Sequence, residues 1–272
     1  MKQEKFCVIG CGGLGSALVK GIARNHQNAS VAVVDRNPQK VSLVEKELGQ
    51  SLESASTFHE IKNADVVVLA VKPHATAALL KAAAQHFDSD TLYVSVAAGV
   101  SLDVLQKAAP GASIARAMPN IGSSVGAGTT AVLLGDACLA QRDQRRLEDV
   151  FKVAGSLRFL DDEKQFHAVT ALSGSGPAFV LLMLETMEDA GVKCGLKREN
   201  AAFFAAGALE AALALSRETD CGPGALRAQI TSPGGTTIAG LAALDRGGFR
   251  AAILDAVDSA ESRSRSMESE NT

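Results

Sequence analysis

Phe6-Cys7-Val8-Ile9-Gly10-Cys11-Gly12-Gly13-Leu14-Gly15 is the stretch that decides the fold. The apolar run reads as a short buried strand, and GxGxxG follows it directly. From Leu14 to Ala23 apolar side chains recur at helical spacing, so the glycines fill a strand-to-helix turn. Gly10 permits the tight turn, Gly12 lets backbone approach a pyrophosphate, and Gly15 lets helix and strand pack closely. The helix N-terminus adds unpaired N–H groups and a partial positive charge. Gly10, Cys11, Gly12, Gly13, Leu14 and Gly15 are therefore candidates for holding a dinucleotide. A glycine-rich turn can also be purely structural, so the rest of the chain has to carry the argument.

Outward from that turn, Val31-Ala32-Val33-Val34 reads as a second strand, and Pro38 opens a helix carrying Val41, Val44 and Leu48. Asp65-Val66-Val67-Val68-Leu69-Ala70-Val71 and Thr91-Leu92-Tyr93-Val94-Ser95-Val96 are further strands. Helices of this length between strands imply right-handed crossovers and a parallel sheet. Residues 114–118 and 129–134 extend it. After Phe159 the pattern is helical almost throughout, rich in alanine, with breaks expected at residues 173–177, 191–195, 222–224 and 233–235. The predicted class is α/β. A Rossmann-type, mostly parallel sheet occupies residues 1–160 and an all-α domain residues 161–272, with the boundary at Asp161-Asp162. The polar tail after Ser262 is expected to fray.

Composition narrows the function. With 47% hydrophobic and 21% charged residues the chain is globular, and a net charge of −3 argues against a broad nucleic-acid surface. Five scattered cysteines without CxxC or Cys/His spacing suggest neither a disulfide framework nor a metal site. The N-terminus runs into a strand without the apolar core of a signal peptide. Apolar runs read as interrupted short of a membrane span. A cytoplasmic protein with no membrane partner is expected.

Ligands of open α/β sheets gather at the carboxyl ends of the strands. After the second strand comes Asp35-Arg36-Asn37. An acid there ordinarily holds the ribose hydroxyls of NAD, whereas an arginine accommodates the extra phosphate of NADP. Asp35 is able to turn away and leave Arg36 and Asn37 on that phosphate, so the reading favours NADPH, with NADH possible. The competing reading makes residues 35–38 a polar turn that caps the next helix. Ala70, Val71, Lys72 and Pro73 end the following strand; Lys72 either touches the cofactor or is simply solvated. Val96, Ala97 and Ala98 come next, and their small side chains would let a nicotinamide ring lie against backbone. Met118 and Asn120, in Arg116-Ala117-Met118-Pro119-Asn120, close the series.

Two motifs remain in the helical half: Ser173-Gly174-Ser175-Gly176-Pro177-Ala178-Phe179 and Thr231-Ser232-Pro233-Gly234-Gly235-Thr236-Thr237-Ile238-Ala239-Gly240-Leu241. With these the chain resembles the pyrroline-5-carboxylate reductase family, whose motifs it carries in order and at the family's spacing from Phe6 to about Arg265. The resemblance implies NAD(P)H-dependent reduction of the cyclic imine Δ1-pyrroline-5-carboxylate to L-proline, the last step of proline synthesis. It also implies helical dimerisation domains that interlock in a homodimer, often assembled into a decamer. By the same resemblance Ser232 would bind the substrate carboxylate, and Thr237 would hydrogen-bond the ring nitrogen and help deliver a proton. Gly234, Gly235 and Thr236 would complete that site. In physical terms residues 232–237 offer N–H donors and hydroxyls at a helix start, which suits a small carboxylate; a plain helix cap is the alternative.

Residues 173–177 read as close-packing scaffold, with Pro177 in a first helical turn. Two positions depart from the family pattern: Thr57 stands where Asn often contacts the cofactor, and Ala228 where an acid is common. His167 reads as a satisfied packing residue, His74 as a surface residue and Asp220 as a solvated loop acid. Two other functions compete. A β-hydroxyacid dehydrogenase would need a lysine acid/base in the helical half, yet Lys164, Lys193 and Lys197 lie outside any glycine-rich motif. A non-catalytic NADPH-binding regulator would keep residues 10–15 without needing residues 232–237.

Overall fold

β1 (Glu4–Ile9) lies inside an eight-stranded sheet, in a computed structural model that describes residues 4–25, 29–138 and 140–270. The other strands are β2 (Ala29–Val34), β3 (Glu53–Ala55), β4 (Val66–Leu69), β5 (Leu92–Ser95), β6 (Ser113–Met118), β7 (Gly128–Leu134) and β8 (Gly155–Phe159). Their order is β3-β2-β1-β4-β5-β6-β7-β8, and all neighbours run parallel except β6 and β7. The switch in winding falls between β1 and β4, where open sheets of this kind place their ligand crevice.

Strand periodicity divides the core into two layers. Phe6 and Val8 face one side, packed with Leu18, Val19 and Ile22 of α1 (Gly13–Asn25) and Leu147 and Phe151 of α5 (Ala140–Phe151). Cys7 and Ile9 face the other, with Leu80 and Ala83 of α3 (Pro73–Ala84) and Leu105 of α4 (Leu102–Ala108). Every residue of β4 and β5 is buried, which is why these strands read as continuous apolar runs. Leu18 and Ile22 are wholly buried, each contributing roughly 2 kcal/mol. α2 (Pro38–Leu48) starts at Asn37, whose side chain accepts from Gln39 N, and stops at left-handed Gly49.

The chain forms two compact units, residues 1–174 with 260–272 and residues 175–259. The sheet ends at Phe159, close to the expected boundary, but the first unit also takes in α6 (Gln165–Val169) and all but the last residue of a π turn (Thr170–Ser175). The expected break at residues 173–177 is therefore helical. The π turn runs into α7 (Gly176–Lys193), and Pro177 falls in its first turn, where a missing N–H is tolerated. Since no break occurs, Gln165–Lys193 is long and apolar enough to cross a membrane by length and composition, contrary to the expectation that all apolar runs fall short.

The second unit consists of α7, α8 (Arg198–Glu218), α9 (Pro223–Gln229), α10 (Thr236–Arg246) and the first half of α11 (Phe249–Glu270). Among its described residues only Ala201 and Ala205 are buried. Large apolar side chains stay in the open, with Phe203 73% and Leu181 63% exposed.

The expectation of a frayed tail also fails, because α11 continues to Glu270 and its last turns belong to the first unit. Glu268 pairs with Arg116 (3.0 Å) and with His167 Nε2 (3.0 Å). Ser264 Oγ meets His167 Nδ1 at 3.1 Å. Arg116, whose side chain is 5% exposed, also binds Glu163 (2.6 Å) and lies over the Phe166 ring. A buried guanidinium needs such partners, and they come from distant parts of the chain.

Candidate functional site

The glycine turn is built by close backbone packing. Gly10 has φ +106°, its N–H donates to Val34 O (2.7 Å), and a Cβ there would collide with Ala70 O. A Cβ at Gly15 would collide with Gly10 O. Packing thus accounts for the first and last glycines. Nothing lies within 4 Å of a Cβ built at Gly12 or Gly13. Those two face open space beside the start of α1, whose first N–H groups have no intrahelical partner. A purely structural turn gives no reason for small residues there, whereas a pyrophosphate approaching the backbone does. The residues present fit a dinucleotide.

At the end of β2, Asp35 is engaged by the chain itself, and Asn37 caps the next helix as the competing reading has it. Its Oδ2 accepts from Cys11 N (2.7 Å), its Oδ1 from Asn37 N (2.8 Å), and Lys40 Nζ lies 3.7 Å away. Burial works against its charge, but the N–H groups of Asn37 and Cys11 and the Lys40 ammonium outweigh it, so the carboxyl is held below its ordinary value. This acid braces the glycine turn. Arg36 beside it is exposed and, among the described residues, makes no ion pair.

The remaining cofactor candidates follow the carboxyl ends of successive strands in the first unit: Thr57 after β3, residues 70–73 after β4, residues 96–98 after β5, and Met118 with Asn120 at β6. Thr57 closes a capping box with Glu60 on a short 3-10 turn, so its polar groups serve the chain. Lys72 is exposed, with no side-chain bond to the helix it precedes. Ala97 is buried and Ala98 half-buried at the mouth of β5. Asn120 Oδ1 accepts from Gly122 N (3.1 Å) and Thr129 N (3.2 Å), while Nδ2 donates to Ser173 Oγ (3.1 Å). That Ser173 contact is absent from the sequence reading; its only local signal is a serine among glycines.

The substrate candidates lie in the second unit, at the turn between α9 and α10. Gly235 N donates to Ser232 O (3.1 Å), closing a turn with Pro233 second and left-handed Gly234 (φ +68°) third. A Cβ at Gly235 would collide with Ser232 Oγ. Gly235 is the N-cap of α10, and no side chain caps that helix. Ser232 is exposed and Thr237 half-buried, and neither hydroxyl bonds to another described residue. The helix-cap alternative for these hydroxyls therefore has no bond to support it.

Comparisons with known proteins come from both halves of the chain. Residues 163–267 match the family described as pyrroline-5-carboxylate reductase dimerisation, and residues 5–99 match NADP oxidoreductase coenzyme F420-dependent. Pyrroline-5-carboxylate reductase of Escherichia coli (strain K12) is 35% identical over 97% of this chain and 98% of its own. That of Mycobacterium tuberculosis (strain ATCC 25618 / H37Rv) is 36% identical over 97% of each. Among solved structures, a pyrroline-5-carboxylate reductase from Coxiella burnetii superposes with a TM-score of 0.89 at 30% identity, covering 97% of this chain and 98% of its own. The Plasmodium falciparum pyrroline carboxylate reductase with NADP bound gives 0.83 at 28% identity, covering 98% and 99%.

Proposed function

Because this chain belongs to the pyrroline-5-carboxylate reductase family, we propose that it reduces Δ1-pyrroline-5-carboxylate to L-proline with NAD(P)H, the last step of proline biosynthesis. The observation that carries this reading is the full-length match to reductases, joined to a glycine turn shaped for a pyrophosphate and a second turn with unengaged hydroxyls.

The bound nicotinamide supplies a hydride for the imine carbon; the chain binds, orients and protonates. In our reading Gly12, Gly13 and the start of α1 hold the pyrophosphate, with residues 70–73 and 96–98 beside the rest of the cofactor. Arg36 and Asn37 take the extra phosphate of NADPH, because Asp35 is engaged with Cys11, Asn37 and Lys40. Ser232 Oγ and the N–H groups opening α10 receive the substrate carboxylate. Thr237 hydrogen-bonds the ring nitrogen and supports its protonation, so that a hydride and a proton together convert C=N to CH–NH. Residues 161–272 serve substrate binding and dimerisation, and residues 1–160 serve the dinucleotide. Assembly to a decamer and a cytoplasmic location belong to the same reading.

The test is oxidation of NADPH and NADH with pyrroline-5-carboxylate, beside a panel of hydroxy acids. Cofactor binding without turnover of pyrroline-5-carboxylate would refute the assignment. Thr237→Ala is expected to lower kcat about 100-fold while NADPH binding stays within about twofold. Equal losses of both would make residue 237 a structural cap.

A further inference from the structure

We propose that Ser173, presented by the π turn, is a positioning residue for hydride transfer: through Asn120 it fixes residues 118–125 at the carboxyl end of β6. The inference rests on the reductase reading above, in which Met118 and Asn120 close the row of strand ends that lines the cofactor. A π turn inside a helix is rare and falls frequently at functional sites. One residue more or fewer swings a side chain by about 100° around the helix axis. The turn Thr170–Ser175 uses that offset to bring Ser173 Oγ to 3.1 Å from Asn120 Nδ2.

Asn120 has no freedom to turn over. Its oxygen accepts two backbone N–H groups, from Gly122 and Thr129, so the amide nitrogen must face the serine. The segment closes tightly around it. A Cβ at Gly122 would come within 2.7 Å of Ala127 O and 3.1 Å of Asn120 Oδ1. On the other side of the π turn a Cβ at Gly174 would sit 3.4 Å from Met118 Cε. Ser173 thus holds Asn120 by a hydrogen bond while Gly174 lies beside Met118, all within one compact unit. Hydride transfer depends steeply on such placement, because a misplacement of about 1 Å costs about 100-fold in rate.

The experiment compares full-length wild type, Ser173→Ala, Ser173→Thr, Asn120→Ala and the double alanine variant. NADPH affinity is read from nicotinamide fluorescence, kcat is normalised to NADPH-binding sites, and the isotope effect is taken with NADPH deuterated at the transferred position. Ser173→Ala is expected to lower kcat roughly tenfold and raise the isotope effect on kcat, with NADPH affinity unchanged. Ser173→Thr, which keeps the hydroxyl, restores most of the rate, and the double variant is no slower than Asn120→Ala alone. An unchanged kcat per site, or an equal loss of kcat and NADPH affinity, overturns the proposal while leaving the reductase assignment intact. A wild type that binds NADPH but never turns over pyrroline-5-carboxylate overturns both.

Discussion

At the scale of the residue, Asp35 stands where an acid normally reads ribose, yet two backbone N–H groups and a lysine hold its carboxylate. Its removal should loosen the glycine turn for either cofactor. Asp35→Ala is expected to weaken NADPH and NADH binding by a similar factor, about tenfold for the loss of charge-assisted bonds. A loss confined to NADH would identify Asp35 as a ribose ligand. Arg36→Ala should behave oppositely, raising the Michaelis constant for NADPH roughly 10- to 100-fold more than that for NADH. The lowered carboxyl value of Asp35 also fixes a sign for pH. Stabilisation from a depressed carboxylate is complete above its unfolded value and lost as pH falls through the lower folded one. The melting-temperature gap between wild type and Asp35→Asn should therefore stay constant from about pH 8 to pH 5 and close only below about pH 4. A gap that closed near neutrality would contradict the ionised brace.

At the scale of the element, the glycine turn separates packing from binding. Gly15→Ala forces a Cβ into Gly10 O and is expected to destabilise the fold by about 1–3 kcal/mol, visible in thermal melts. Gly12→Ala enters open space, so its melting temperature should stay within about 2 °C of wild type while NADPH binding is lost. A Gly12→Ala protein that binds NADPH normally would remove the pyrophosphate from that position. The same scale shows what could be read beforehand. β4 and β5 were legible because strands buried on both faces must be apolar throughout. β3, three residues at the sheet edge, and β8, with alternating partial exposure, lack that constraint and escaped notice. Residues 173–177 misled because glycine, serine and proline signal a break, whereas a π turn accommodates them. Of the candidate site, the strand ends were legible from position alone. The roles of Asp35 and Asn120 were not, since a side chain's partners 24 or 53 residues away leave no local pattern.

At the scale of the whole molecule, the second unit keeps Phe203, Phe204, Leu181, Leu182 and Leu254 exposed while burying only two alanines among its described residues. Apolar area of that extent marks an association surface, and the dimerisation family matched over residues 163–267 supplies its occupant, a second copy. Sedimentation is expected to give a multiple of the 28.1 kDa chain mass, and Leu181→Asp combined with Phe203→Glu should shift it toward the monomer. A wild type that sediments as a single chain at micromolar concentration would remove the dimer. The return of α11 to the first unit has a consequence in time. Arg116 meets Glu163 soon after both emerge from the ribosome, but Glu268 follows 152 residues behind Arg116. From Glu163 to Glu268 is 105 residues, at roughly 5–20 residues per second a wait of about 5–21 s. Through it the sheet's buried cation has only one of its two carboxylate partners, and the unit begun first is the last to be finished.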